Sequence, residues 1–135
     1  MSARLSLCLL ALDATTPVIL NRVDCALAET RFDPIRDSVQ IALAEVLNNI
    51  VEHAYRNIPM GSVALHLTSQ NQTLSIDVTD WGHAYPDHCL PDGLSPEPEH
   101  LSEGGYGWFL IQTLMTHVAY ERRAKANHLS LCLAL

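Results

Sequence analysis

Three groups of residues in this chain combine side-chain type and spacing in ways that could serve chemistry on a phosphorylated ligand. Glu45 and Asn49 stand four apart in a long segment of helical period. At 100° per residue they lie about 40° apart on one helix face, close enough to reach one ligand. A neutral amide oxygen beside a carboxylate suits Mg²⁺, which keeps several waters and takes few protein groups when substrate phosphates supply the rest. Asp80-Trp81-Gly82 follows directly on the alternating segment Leu74 to Thr79. An Asp at a strand end can accept a hydrogen bond from an adenine amino group, and Gly82 lets a base approach the backbone. Glu103-Gly104-Gly105-Tyr106-Gly107-Trp108 sets three glycines at the mouth of a predicted helix, where backbone amides and the helix dipole favour an anion. It is not a Walker A loop, since no Lys-Ser/Thr follows, nor a dinucleotide fingerprint, since no strand precedes it in a βαβ unit. Taken singly, the three also suit a solvated helix face, an ordinary strand-end turn and a lid hinge.

The elements that must position these groups can be read from the hydrophobic period. Leu5, Leu7 and Leu9 alternate with Ser6 and Cys8 in a first strand, Arg4 to Leu10. Thr15, Thr16 and Pro17 supply a cap and an early proline for a short helix through about Glu29, and Asp33-Pro34 does the same for a longer one, about Pro34 to Tyr55. On that helix Val39, Leu43, Val46, Leu47, Ile50 and Ala54 occupy an arc from about 100° to 200° relative to Glu45, with His53 at about 80°; Ile41 falls outside the arc without explanation. Asn48 and Asn49 are poor helix formers, because their amides compete for backbone hydrogen bonds. After Asn57, Pro59 and Gly61, the segments Val63-Leu65-Leu67 and Leu74-Ile76-Val78 form a hairpin about Ser69 to Gln72. Gly82 to Gly107 holds five of the six glycines and four of the seven prolines without any period, the texture of a functional lid. Trp108 to Met115 is a predicted helix, Val118 to Arg123 a strand, Lys125-Ala126-Asn127 a turn, and Leu129 to Leu135 a last strand. The sum is an α/β (α+β) domain, one mixed sheet of about five strands covered by about three helices.

Composition bounds the function. With 135 residues the chain fits one domain, and 8 Lys+Arg against 15 Asp+Glu give a net charge of −7, which repels phosphate backbones and excludes nucleic acid as a partner. No apolar run approaches the roughly 20 residues a membrane helix requires. The apolar start meets Asp13 without a small-residue cleavage site and reads as a strand rather than a leader. Cys8, Cys25, Cys89 and Cys132 form no C-x-x-C pair, which fits reduced thiols in a cytoplasmic protein; Cys8 and Cys132 read as small core residues. His83, His88 and Cys89 read as polar loop residues rather than metal ligands, and Trp108 and Phe109 as core.

In order and spacing, Glu45-x₃-Asn49-x₃-His53-Ala54-Tyr55, then Asp80-x-Gly82, then Gly105-x-Gly107, the sequence resembles the GHKL ATPase superfamily with its N, G1 and G2 boxes. Through His53-Ala54-Tyr55 and the stretch Glu103 to Met115 it looks most like the bacterial anti-sigma-factor serine-protein kinases of partner-switching systems. The resemblance covers essentially the whole chain. It implies a Bergerat-type two-layer sandwich over residues 1–135, with a mobile ATP lid over about 83–106. It implies Mg²⁺ bridging Asn49 and the phosphates of ATP, Asp80 reading adenine, Gly82 admitting it, and Gly104, Gly105 and Gly107 wrapping the phosphates. His53 and Tyr106 would complete the ATP site, and Glu45 would be the general base. Two departures from the family pattern, Ala84 for the second G1 glycine and the absence of an arginine near the G2 glycines, favour binding over rapid turnover.

Among the functions of that superfamily, a histidine phosphoacceptor is already nucleophilic at neutral pH and needs no carboxylate to deprotonate it, whereas a hydroxyl or a water does. Glu45 therefore points to a serine/threonine kinase, acting through positioning and electrostatics with Mg²⁺. The length leaves no room for a histidine-bearing dimerisation helix pair or a transducer domain. The expected partners are a sigma factor or similar regulator and a small antagonist protein that is phosphorylated; the resemblance also implies a homodimer. The alternatives are a nucleotide-responsive or non-catalytic module that sequesters a partner, and a stand-alone histidine-kinase-type ATPase domain.

Overall fold

The computed structural model describes residues 2–85 and 105–135. Its elements follow in the order β1 (Arg4–Leu10), α1 (Thr16–Leu27), α2 (Arg36–Asn49), β2 (Ser62–Gln70), β3 (Thr73–Asp80), α3 (Gly105–Leu114), β4 (His117–Arg123) and β5 (Ala126–Ala134). The strands form one sheet in the order β1-β2-β3-β5-β4. All four pairings are antiparallel, where a mixed sheet was expected. The reason lies in the crossovers: two successive helices separate β1 from β2, so the chain returns running the opposite way, and tight hairpins join β2 to β3 and β4 to β5.

The period-2 pattern sorts the sheet into two faces. Val63, Leu65 and Leu67 of β2, Leu74, Ile76 and Val78 of β3, and Leu129 and Leu131 of β5 are buried in one cluster with the helices. On α1 the stripe is Ile19, Val23 and Leu27, and on α2 it is Val39, Ala42, Leu43, Val46 and Leu47, the i, i+3, i+4, i+7 spacing of a helix docked along one face. Each buried Val, Leu or Ile among them contributes about 1.5–3 kcal/mol relative to leaving it in water. Ile41, which broke the wheel, is exposed. Trp108 is buried, as its place at the head of an apolar run required. Among the described residues, no helix lies on the opposite face of the sheet. Cys8 and Cys132 lie there rather than in the core, Cys8 exposed and Cys132 within 3.7 Å of Ser75 Oγ. Both follow the strand period: Cys8 alternates with the inward Leu7 and Leu9, and Cys132 with Leu131 and Leu133.

The segment expected to be one helix from Pro34 to Tyr55 is three helical pieces. A 3₁₀ turn, Asp33–Ile35, precedes α2, and a π-helical turn, Ile50–Ala54, follows it. The wider turn is fixed by the Tyr55 amide, which bonds Ile50 O five residues back at 3.0 Å. Asn57, at φ 64, then ends the helix in the left-handed conformation that Asn tolerates better than most residues. At the start of α1 the expected threonine cap is turned around: Thr15 Oγ1 donates to Leu10 O at 2.6 Å and serves the end of β1, not the helix amides.

The β4–β5 turn is tighter than expected. Arg123 pairs with Ala126, so only Ala124 and Lys125 form the loop, both left-handed at φ 53 and 64. That geometry favours Asn-Gly and costs an L residue about 1–2 kcal/mol per position. Replacing Ala124-Lys125 by Asn-Gly is expected to stabilise the chain by about 1 kcal/mol or more, seen as a higher thermal midpoint in circular dichroism. The register also moves Asn127 out of the turn and into β5, directly opposite Asp80. The expected lid over about 83–106 lies mostly outside the described residues, and with it His88, Cys89 and Gly104.

Candidate functional site

Helix α2 is the member common to the motifs. It packs against α1 on one side and α3 on the other. Glu45 is half-buried, and its carboxylate faces the first turn of α3 at Gly107. A Cβ added at Gly107 would stand 2.7 Å from Glu45 Oε2, so a side chain there would push the carboxylate aside, and glycine lets it lie against the first turn of α3. Glu45 itself makes no hydrogen bond among the described residues.

Asn49, one turn on, is buried at 6% exposure. Among the described residues, its Nδ2 is the one buried side-chain polar atom that has no hydrogen-bond partner. An unpaired buried amide costs about 1–3 kcal/mol, which a bound ligand group can recover. Turning the amide over exchanges the nitrogen for an oxygen acceptor, so the same position suits a cation ligand. No group of three or more His, Cys, Asp and Glu able to hold a metal stands among the described residues. The donor set therefore fits an ion carried in largely by phosphates, as Mg²⁺ commonly is.

Asp80, the last residue of β3, is 2% exposed. Its Oδ1 accepts two hydrogen bonds, from Gly82 N at 2.9 Å and from Asn127 Nδ2 at 2.8 Å. Oδ2 accepts none among the described residues. Burial pushes the carboxyl above its ordinary range, opposed by those two hydrogen bonds and by the charges of Arg122 and His128. The loop beyond is stitched to the end of the helix: His83 N donates to Ala54 O at 2.6 Å, and His83 Nε2 lies 2.9 Å from Arg56 O. A Cβ at Gly82 would overlap the Ala54 carbonyl and its carbon, backbone atoms that cannot step aside. Gly82 thus serves first to bring the β3 end against the helix, whatever else approaches it. Gly82→Ala is expected to cost about 1–3 kcal/mol of stability, measured by urea unfolding, because the overlap is with backbone rather than a movable side chain.

Residues 10–133 match the family model of the histidine kinase-like ATPase domain. The chain belongs to that family. The chain is similar to the serine-protein kinase RsbW of Bacillus licheniformis, 39% identical over 95 residues, which are 67% of this chain and 59% of that protein. It is 34% identical over 100 residues to the serine/threonine-protein kinase BtrW of Bordetella bronchiseptica, 72% of this chain and 69% of that one. It is 33% identical over 98 residues to RsbW of Bacillus subtilis, 69% of this chain and 61% of that one. The chain thus spans about six tenths of the RsbW proteins it matches. In fold it is similar to the crystal structure of the RsbU and RsbW domains of Rv1364c from Mycobacterium tuberculosis, with a TM-score of 0.67 at 18% identity over 98% of this chain and 32% of that chain.

The structure places the expected residues in two local groups and adds others. Glu45 and Gly107 meet, Asn49 is buried one turn along, and Asp80 and Gly82 share a hydrogen bond at the sheet end tied to Ala54. Gly105 and Tyr106 fall in the first turn of α3. His53 is set apart: the π turn leaves it half-exposed, with Nε2 4.0 Å from Glu52 Oε2 and no bond to either cluster. Missed by sequence reasoning were Tyr55, Tyr85, Tyr120, Arg122 and Asn127. The Tyr55 hydroxyl accepts from Trp81 N at 2.8 Å and donates to Ser62 O at 2.6 Å, pinning the chain just after Asp80; burial raises its pKa. Tyr85 stacks on Tyr120 at 4.3 Å between centroids and meets the edge of Trp108 at 5.4 Å, and burial pushes its hydroxyl well above the usual tyrosine range. A hollow of about 670 Å³ between β3, β5 and β4 includes Tyr120 in its lining but not Glu45, Asn49, Asp80 or Gly82.

Proposed function

We propose that this chain is an ATP-dependent protein serine/threonine kinase that binds a sigma factor or similar regulator and phosphorylates a small antagonist protein. The observation that supports it most is the half-buried Glu45 carboxylate, without a hydrogen bond among the described residues and set against Gly107, one turn before the amide of Asn49, whose Nδ2 has no partner among the described residues. The names of the relatives, serine-protein and serine/threonine-protein kinases, point the same way. Asp80 Oδ2 accepts from the adenine amino group. Asn49 would hold Mg²⁺, which when bound would neutralise phosphate charge. Glu45 takes the proton from the acceptor hydroxyl as its oxygen bonds the γ-phosphorus; the bond from that phosphorus to the β–γ bridging oxygen breaks, and ADP leaves. Gly104, Gly105 and Gly107 present backbone amides to the phosphates. Tyr106, in the same stretch, would complete the phosphate site, while His53, half-exposed beside Glu52, takes no part in this reading.

The chain works in the cytoplasm on this reading; among the described residues, no helix is long and apolar enough to cross a membrane. A homodimer is part of the same proposal. One observation favours a second reading, a nucleotide-responsive module that sequesters its partner without phosphorylating it: Glu103 to Met115 contains no arginine to hold a γ-phosphate. Incubation with Mg-ATP labelled at the γ-phosphate and a candidate antagonist separates the two. Phosphoserine or phosphothreonine in the antagonist supports the kinase; ATP binding without transfer supports the sequestering module.

A further inference from the structure

Asn127 is 1% exposed and uses every hydrogen-bonding position of its amide. Nδ2 donates to Asp80 Oδ1 at 2.8 Å and to His83 O at 2.8 Å. Oδ1 accepts from the Tyr120 hydroxyl at 2.6 Å and from Arg122 Nη1 at 3.1 Å. The same Nη1 donates to Gly82 O at 2.7 Å. An asparagine amide is ordinarily free to turn over, but a guanidinium is a donor only, and a carboxylate an acceptor only. Arg122 on one side and the Asp80 carboxylate and His83 carbonyl on the other therefore fix the amide with its oxygen toward β4 and its NH₂ toward Asp80. That NH₂ and the Gly82 amide both fall on Oδ1. The consequence is a carboxylate with one oxygen committed and the other open.

We propose that Asn127 is a positioning residue of the base-binding site, its polarity set between Arg122 and the His83 carbonyl, so that Asp80 Oδ2 is the oxygen offered to the amino group of an adenine base. This rests on the nucleotide reading above and extends it to residues on β4 and β5, which carry none of the recognised motifs. The Tyr120 hydroxyl, which also accepts from Tyr85 N at 3.2 Å, ties the same network to the segment following Gly82. The groups facing Asp80 are Arg122 from β4, His128 and Asn127 from β5, Tyr55 from the end of the π turn and Tyr85 from beyond β3.

The test compares ATP with inosine triphosphate, which carries a carbonyl where adenine carries its amino group, by titration calorimetry on the full chain. The wild type is expected to prefer ATP by about tenfold or more, the worth of a hydrogen bond to a charged acceptor. Asn127→Leu, of similar size, should lower ATP affinity to the inosine level while leaving inosine triphosphate binding unchanged. Arg122→Met, on a half-exposed strand position, removes one of the two donors on Asn127 Oδ1 together with the bond to Gly82 O and should reduce the preference in part; it serves where the leucine variant does not give a folded circular dichroism spectrum. A folded variant that keeps the wild-type preference, or loses both nucleotides equally, overturns the positioning role. A wild type that binds both alike overturns the assignment of Oδ2. A wild type that binds neither overturns the nucleotide reading itself.

Discussion

Glu45→Gln is expected to lower phosphoryl transfer to a serine or threonine acceptor by about 10²–10⁴-fold, the usual contribution of a positioned general base, with Mg-ATP affinity nearly unchanged. Glutamine keeps the shape that Gly107 accommodates, so the helix packing survives and only the basic oxygen is removed. The split between rate and affinity is the informative part. A residue acting on the acceptor proton affects the transition state, whereas one that holds the nucleotide affects binding. Asn49→Ala is the matching contrast, with Mg-ATP binding itself weakened. Single-turnover transfer and a parallel ATP titration measure both. The reverse pattern, affinity lost at Glu45 and rate alone lost at Asn49, would exchange the two roles.

Asp80→Ala should reduce ATP affinity by about 10²-fold, since it removes a charged acceptor in a buried setting where the base amino group would otherwise lose its water partners unreplaced. The pH dependence follows from the hydrogen bonds. Because Oδ1 already accepts two N–H groups, a proton added to Asp80 goes to Oδ2 and turns the open acceptor into a donor. Burial raises the folded carboxyl above its ordinary value of about 3.9. Nucleotide affinity is therefore full above the raised value and falls as pH drops through it. Stability runs the other way. Between the ordinary value and the raised one the folded chain holds a proton that the unfolded chain has released, so stability is greatest at the acid side of this window and declines as pH rises through it. In Asp80→Asn this contribution to the pH dependence should vanish, measurable by thermal unfolding across a pH series. An unchanged pH profile would show that Asp80 titrates normally.

Much of this was legible in the sequence, for identifiable reasons. The strands of β2 and β3 and the stripe of α2 rest on strong periods, and the structure reproduces them because burial of one face decides the backbone. The motif residues on α2 and at the end of β3 were legible from spacing. What was not legible depends on register and backbone geometry. Asn127 looked like part of a turn, and only the two-residue loop at Ala124-Lys125 places it opposite Asp80. The π turn at Ile50–Ala54 has no period of its own, so a wheel drawn at a fixed angle could not show that His53 faces away and that the Ala54 carbonyl meets Gly82. The outward cysteines were misjudged from their residue type, although the alternation around them already assigned their face.

The central claim, that the end of β3 and the flank of α2 form one nucleotide site, is tested most directly by titrating ATP into the chain with and without Mg²⁺. Saturable binding to one site per chain, tightened by Mg²⁺ in the wild type but not in Asn49→Ala and lost in Asp80→Ala, is the predicted result. No saturable binding in either buffer, or binding indifferent to both substitutions, would contradict it.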